Sequence, residues 1–262
     1  MAAPALRLVT YNVHRCVGTD RALDVERVAG VLASLEPDVV CLQELDVGRA
    51  RTGGVDQAQA IADHLRMHCR FHPAMAVEEE LYGDAILTAL PHRLVKAAAL
   101  PTLPLPGLEP RGALWVDLEI AGVTVQVINT HLGLVPREQR AQAAHLLGPD
   151  WLGAALAREA PLMVAGDFNA PVGSSVYRAF RRRLRDAQLL TETFRTVATF
   201  PSAFPMLRID HVFVTPELTV RRVGVADGLS ARRASDHLPL IVDFDPPARP
   251  RPAAPASAGS AS

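Results

Sequence analysis

An α/β fold built on two sheets is predicted for this chain, and three observations predict it. Strand-like and helix-like stretches alternate along it. Its apolar runs are short and continuous, as in strands buried on both faces. Several of these runs end on a polar side chain able to bond a ligand. Pro161-Leu162-Met163-Val164-Ala165, followed by Gly166-Asp167-Phe168-Asn169-Ala170, shows the last two in ten residues. Polar groups at a strand's carboxyl end face the crevice where open α/β sheets bind their ligands. Asp167 and Asn169, two residues apart, point to one side and offer an anionic acceptor beside a neutral donor. Gly, Asp and Asn are also the commonest turn residues, so the pentapeptide gains its weight from the other strand ends.

In chain order, Leu6-Arg7-Leu8-Val9-Thr10-Tyr11-Asn12 alternates as a strand and stops at an asparagine on its buried side. Asp24 to Leu35 is predicted helical, with Val25, Val28, Val31, Leu32 and Leu35 at helical spacing, Asp24 as N-cap and Pro37 as terminator. Asp38-Val39-Val40-Cys41-Leu42-Gln43-Glu44 is a buried strand ending on a carboxylate, so Asn12 and Glu44 stand at corresponding strand ends. Arg49 to Asp56 is a polar loop with two glycines, and Gln57 to Met67 a second helix. His64, His68 and His72 recur every four residues with Cys69 among them, a spacing that makes a zinc site conceivable. Phe71 and Pro73 end the helix before His72 and no second ligand pair lies nearby, so solvated or capping histidines are expected instead.

Tyr82 to Leu90 and His92 to Ala98 are predicted to pair about a turn at Pro91, and the proline-rich Leu100 to Pro110 is an extended loop. Arg111 to Ile120 and Val123 to Thr130 form a hairpin around Ala121-Gly122, whose second strand leads into Asn129-Thr130-His131. A helical stretch from Arg137, interrupted near Gly148-Pro149, leads to the Asp167 strand. Val176 to Leu184 is a basic helix whose Arg178, Arg181, Arg182 and Arg183 read as a solvated face more readily than as a phosphate-backbone contact. Leu207 to Val214 is a strand carrying an Asp210-His211 pair within an apolar run, where an unpaired charge is costly. A second pair, Asp236-His237, precedes the closing strand Leu240 to Phe244. No internal repeat is present. Residues 246–262 are almost all Pro, Ala, Ser and Arg and are expected to be disordered, which leaves 1–245 as one domain.

Composition bounds the partners. The chain has 262 residues, of which 49% are hydrophobic, and a formal net charge of −1, so no global positive field draws it to nucleic acid. Its start shows no cationic leader followed by a long apolar stretch, and no segment reaches the length of a membrane span. A cytoplasmic monomer without integral membrane association is therefore expected. Cys16, Cys41 and Cys69 are odd in number and far apart, so a disulfide framework is not expected.

The strand ends assemble a constellation of Asn12, Glu44, Asp84, His131, Asp167, Asn169, Asp210, Asp236 and His237, which a two-sheet sandwich could bring to one rim. Two carboxylates about 4 Å apart repel by roughly 4 kcal/mol at an effective dielectric of 20, so such a cluster calls for a cation. Oxygen-rich ligands with few sulfurs favour Mg2+, or Mn2+, over zinc. The histidines are then left for proton transfer or for stabilising developing charge.

Six short motifs stand in order: Thr10-Tyr11-Asn12, Gln43-Glu44, Asn129-Thr130-His131-Leu132, Gly166-Asp167-Phe168-Asn169, Arg208-Ile209-Asp210-His211 and Ser235-Asp236-His237. Over Leu6 to Phe244 the chain thereby resembles the endonuclease/exonuclease/phosphatase superfamily, which includes pancreatic deoxyribonuclease, abasic-site endonucleases, inositol polyphosphate phosphatases and neutral sphingomyelinases. The resemblance implies a four-layered α-β-β-α sandwich of two mixed sheets with helices on the outer faces. It implies Glu44, supported by Asn12, as the principal metal ligand, with Asp236 as a further metal-side carboxylate. By the same resemblance Asp167 activates or positions the attacking water, Asn169 holds a phosphoryl oxygen, His237 contacts the scissile phosphate and Asp210 orients it. His131 is similar to the second histidine of the deoxyribonuclease branch, Asp84 to the acid that orients it, and Arg111 to a phosphate-contacting arginine.

The implied chemistry is metal-assisted, in-line hydrolysis of a phosphate ester. The substrate stays open between a small-molecule or lipid-headgroup ester, favoured by the neutral charge, and nucleic acid, favoured by His131, Asp84, Arg111 and the Arg181-Arg182-Arg183 run. A fold retained without its chemistry would leave gaps in the constellation, and none is visible. The Arg49 to Asp56 loop is expected to cradle a distal phosphate through Arg51.

Overall fold

The computed structural model describes residues 5–77, 80–104, 106–191 and 196–247, so most of the tail expected to be disordered, from 248 onward, lies outside the described residues. The strands in chain order are β1 (Leu6–Asn12), β2 (Val39–Val47), β3 (His68–Val77), β4 (Glu80–Thr88), β5 (His92–Ala99), β6 (Gly112–Ile120), β7 (Val123–His131), β8 (Leu162–Asp167), β9 (Arg185–Asp186), β10 (Asp210–Val214), β11 (Val220–Val225) and β12 (Leu240–Phe244). The helices are α1 (Val25–Ala33), α2 (Gln57–Leu65), α3 (Pro136–Leu146), α4 (Ala154–Leu156), α5 (Ser175–Arg181) and α6 (Leu229–Ala234). Among the described residues the strands form two six-stranded mixed sheets, ordered β11-β12-β1-β2-β4-β3 and β5-β6-β7-β8-β10-β9. Only β1 with β2, and β7 with β8, run parallel among the named pairings.

Three apolar clusters show why this is a four-layered sandwich. Leu8, Cys41, Val116, Val127, Met163, Val212 and Val242 fill the space between the sheets. Val9, Tyr11, Val28, Leu32, Leu42 and Ile61 pack α1 and α2 onto the outer face of the first sheet. Trp115, Ile128, Leu146, Trp151, Val164, Phe180 and Phe213 do the same for α3 to α5 on the second. The strands are buried on both faces, so their sequences read as continuous apolar runs.

Period two then decides where each strand delivers its last side chains. On β1, Leu8 faces inward, so Asn12 does too; on β8, Met163 and Ala165 bring Asp167 inward; on β10, Val212 and Val214 bring Asp210 inward. His211, one residue out of phase, faces the outer aromatic layer, 5.5 Å from the Phe168 and Phe213 rings. Its Nε2 lies 2.8 Å from the Ala170 carbonyl, and burial pushes its pKa down. A histidine that titrates below its unfolded value costs stability as pH falls through about 6.5. Between pH 7 and 5 the urea midpoint should therefore fall more steeply in the wild type than in His211→Asn, with a slope of up to about 1.36 kcal/mol per pH unit from this residue. Parallel pH curves for the two proteins would refute it.

Two expectations need correction. β4 and β5 do not pair with each other: β4 lies between β2 and β3, whereas β5 pairs with β6 in the other sheet, so the chain changes sheets at Pro91. The segment from His68 is a strand rather than a helix end, and Pro73 is tolerated because the register shifts there, between Pro73 and Met75. β11 and α6, too weakly patterned to be predicted, complete the first sheet and its helical layer. His64, the last but one residue of α2, has Nδ1 3.0 Å from Glu26 Oε2, while His68 and His72 lie on β3. No helix among the described residues is long and apolar enough to cross a membrane.

Candidate active site

The inward strand ends meet at one end of the sandwich, under a cleft of about 440 Å3 whose lining includes Glu44, Arg111, Asp167, Asn169, Asp236 and His237. Below it the two sheets are tied by amides. Gln43 Nε2 donates to Asn129 Oδ1 at 2.8 Å, and Asn129 Nδ2 donates to the Leu42 and Ala85 carbonyls at 2.9 Å. Buried amide hydrogen bonds of this kind fix the register of one sheet over the other.

Glu44 reaches the cleft only because β2 is bulged. Gln43 and Glu44 together oppose Asp84, the pairing shifts between Leu42 and Leu45, and Glu44 adopts the left-handed φ of 62°. Without that extra residue strict alternation would aim Glu44 at the helical layer. Asp84 holds the bulge by accepting the Glu44 backbone N–H, and burial pushes its carboxyl up to about 8, with Arg111 opposing. This corrects the expected role of Asp84. It does not orient His131, because its short side chain is engaged by the bulge. His131 Nδ1 instead lies 3.0 Å from Arg111 Nη1.

Asn12 links the metal-side and water-side acids. Its Nδ2 donates to Glu44 Oε1 and to Asp167 Oδ2, both at 3.0 Å. Burial alone would raise the Glu44 pKa, but His14, His131 and Asn12 outweigh it and hold the carboxyl far below its usual range. Asp167 moves the other way: burial and then the neighbouring Asp210 charge push it up to about 7. Its Oδ1 accepts the Asn169 backbone N–H at 2.8 Å, which seats Asn169 at a φ of 48°. Gly166 makes this approach possible. At its φ of 144° a Cβ would stand 1.8 Å from the Thr130 carbonyl oxygen, so no other residue fits without moving β7.

His237 sits between two acids. Its Nδ1 lies 2.9 Å from Asp210 Oδ2 and its Nε2 3.6 Å from Asp167 Oδ2. Burial would lower its pKa, yet Asp210 and Asp167 outweigh that and push it to about 10, so it is an imidazolium at neutral pH. Thr199 Oγ1 also donates to Asp210 Oδ2, and Phe200 lies 4.8 Å from the imidazole. His131 is the opposite case: burial and Arg111 drive its pKa well below normal, so it is neutral. With Nδ1 accepting from Arg111, its Nε2–H is left 3.5 Å from Asp167 Oδ2, while Asn169 Nδ2, 3.1 Å from Nε2 and itself a donor, gives a hydrogen to the Leu132 carbonyl at 2.9 Å.

Two groupings could hold a cation. Asp167, Asp210 and His237 have ligand atoms within 4.8 Å of one another. Glu44 and Asp236 form the second, with Asn12 behind them. His14 Nδ1 already lies between these two carboxylates, 3.5 Å from Glu44 Oε2 and 3.7 Å from Asp236 Oδ1. His14 and Arg15 were not anticipated. They follow β1 in a turn whose residues His14, Arg15 and Cys16 all have positive φ, and nothing in the local pattern marks them. Arg51, by contrast, does not reach the cleft: it forms a bidentate pair with buried Asp46, both contacts at 2.7 Å, and stacks on Tyr82. Its charge is taken up by an acid on β2, at the root of the loop that it was expected to project from. Among the described residues the arginines that line the cleft are Arg15 and Arg111; Arg178, Arg181, Arg182 and Arg183 do not.

Residues 9–237 match the endonuclease/exonuclease/phosphatase family. The chain belongs to that family. It is similar to the uncharacterized protein YbhP of Escherichia coli strain K12, at 24% identity over 255 residues, spanning 92% of this chain and 96% of that one. Its structure resembles a Bacteroides thetaiotaomicron mannosyl-6-phosphatase with a TM-score of 0.73 and 20% identity, covering 91% of this chain and 99% of that one. The human Nocturnin catalytic domain with bound sulfate superposes with a TM-score of 0.69 and 24% identity, covering 92% and 94%. At these identities the likeness to solved structures establishes the endonuclease/exonuclease/phosphatase fold.

Proposed function

We propose that the protein is a divalent-metal-dependent hydrolase of phosphate esters, of phosphodiesterase or phosphatase type. The observation that carries this reading is the buried line Asp210, His237, Asp167, which ends beside the Asn12-bridged Glu44 at the floor of an arginine-lined cleft.

Each group is set for a step of in-line water attack. Asp167, raised to about 7, is near the pH at which a positioned base both holds and releases a proton effectively, so it orients and deprotonates the attacking water. Asn169 Nδ2 donates one hydrogen to the Leu132 carbonyl and offers the other to a phosphoryl oxygen. His237, kept cationic and fixed by Asp210, presents Nε2–H to the charge that grows on the phosphoryl group. Neutral His131 offers a second N–H from the other wall, and Arg15 and Arg111 neutralise the incoming phosphate.

The donor set fits a magnesium-type cation. Glu44 and Asp236 offer hard oxygens, and the one group that stands between them, His14, has its own pKa raised by Glu44, as expected where a positive charge is wanted. Glu44, Asn12 and Asp236 would hold the ion, which when bound supplies Lewis-acid stabilisation of phosphoryl charge. The likeness to a mannosyl-6-phosphatase, and the absence of the Arg178 to Arg183 group from the cleft lining, favour a small ester over a polynucleotide.

The test is turnover of bis-p-nitrophenyl phosphate and p-nitrophenyl phosphate with magnesium or EDTA, beside supercoiled plasmid. Small-ester turnover that EDTA stops, with the plasmid left intact, is the expected result. Nicking without small-ester turnover would replace this reading by the nuclease one, and no magnesium-dependent turnover of any of them would sink it.

A further inference from the structure

The first turn of α3 carries an acid that the proposed chemistry leaves unused. Gln139 Nε2 donates to the Asn169 carbonyl at 2.8 Å, which anchors this turn beside the phosphate-facing amide. The preceding residue, Glu138, is only 1% exposed, yet its Oε1 has no hydrogen-bond partner among the described residues. A buried polar atom left unpaired is costly, and such atoms call for an explanation. Glu138 lines a recess of about 260 Å3 that shares Glu109, Arg111 and Leu134 with the main cleft, so the two openings are continuous. Gly133 makes the room: a Cβ there would stand 2.1 Å from Glu138 Oε2.

We infer that this recess receives the leaving group of the substrate and that Glu138 accepts a hydrogen bond from one of its hydroxyls, which makes the substrate the phosphate ester of a polyol such as a sugar. The inference rests on the phosphohydrolase reading above. A carboxylate oxygen only accepts, so its partner must carry O–H or N–H. Arg111, with Nη2 3.3 Å from Glu109 Oε2, disfavours an ammonium in the recess, while two acids disfavour a second phosphate. Neutral hydroxyls meet neither objection. An apolar leaving group would leave Glu138 unpaired, and that penalty is what discriminates.

The experiment compares kcat/KM for glucose 6-phosphate, ribose 5-phosphate and glycerol 3-phosphate with that for hexyl phosphate, an ester of similar leaving-group basicity without hydroxyls. p-Nitrophenyl phosphate serves to establish turnover. The wild type should prefer at least one polyol phosphate over hexyl phosphate by about 10-fold or more, and Glu138→Met should lower that ratio by about 10-fold to 100-fold, mainly through KM. Glu138→Gln, which keeps an acceptor, should recover part of it, and Gly133→Ala, which displaces the carboxylate, should lower it. Because each ratio is taken on one preparation, partial misfolding cancels. Turnover of p-nitrophenyl phosphate without polyol preference overturns the inference, as does a ratio unchanged in Glu138→Met. Turnover of bis-p-nitrophenyl phosphate without turnover of any monoester overturns this inference alone, and no magnesium-dependent turnover of either nitrophenyl ester sinks the hydrolase reading itself and this inference with it.

Discussion

Glu44→Ala should lower kcat by about 10³-fold or more at saturating magnesium, a loss of about 4 kcal/mol in transition-state stabilisation. The size follows from what the residue does in place. Its carboxyl is held ionised by His14 and Asn12 at the cleft floor. Nothing else on the bulge can substitute, because Leu45 returns to the outer face. The fold should survive, since alanine at this position removes a charge and leaves the amide bridge between Asn12 and Asp167. Calorimetric titration with magnesium should show weakened binding, and melting should show a folded protein. Near-wild-type turnover at high magnesium would remove Glu44 from the metal site.

His237→Ala should cost about 10² to 10³-fold in kcat/KM, the range for losing one preorganised donor at developing phosphoryl charge. Here stability suffers too. The substitution leaves Asp210 buried against Thr199, with Oδ1 already unpartnered, and Asp167 without its cationic neighbour. Breaking a buried ion pair from one side costs about 3–5 kcal/mol. Asp210→Asn should lose less activity, about 10 to 100-fold, because an amide oxygen still accepts from Nδ1. Urea unfolding of each variant in EDTA, beside steady-state kinetics, separates the two effects. Full activity in His237→Ala would place the phosphate elsewhere.

Much of the fold was legible because burial on both faces leaves a plain signature. β1, β8 and β12 read directly as short apolar runs, and Asp24 caps α1 as expected, its side chain accepting the Arg27 backbone N–H. β3 was not legible, because Pro73 and the four-residue spacing of His64, His68 and His72 argue against a strand, and only its bulged pairing with β4 accommodates the proline. The false hairpin at Pro91 has the same origin. Sequence neighbours with strand character pair by default, and nothing local says that one of them belongs to the second sheet.

For the site the division is similar. Residue identity and period two sufficed for Asn12, Asp167 and Asp210, since an inward alternation carried through to a strand's end is a local fact. The same rule separates Asp210 from His211, which share one apolar run but face opposite layers. The sequence by itself therefore determined the family, the layered architecture and the chemical character of the strand ends. Tertiary structure alone decided that a bulge turns Glu44 inward, that Asp84 braces this bulge rather than His131, that Arg51 is neutralised by Asp46, and that His14 enters the site. Each of these depends on which backbone or charge lies across from a residue distant in the chain or set by a left-handed turn, and hydrogen bonds and ion pairs act over a few ångströms of space without regard to sequence separation.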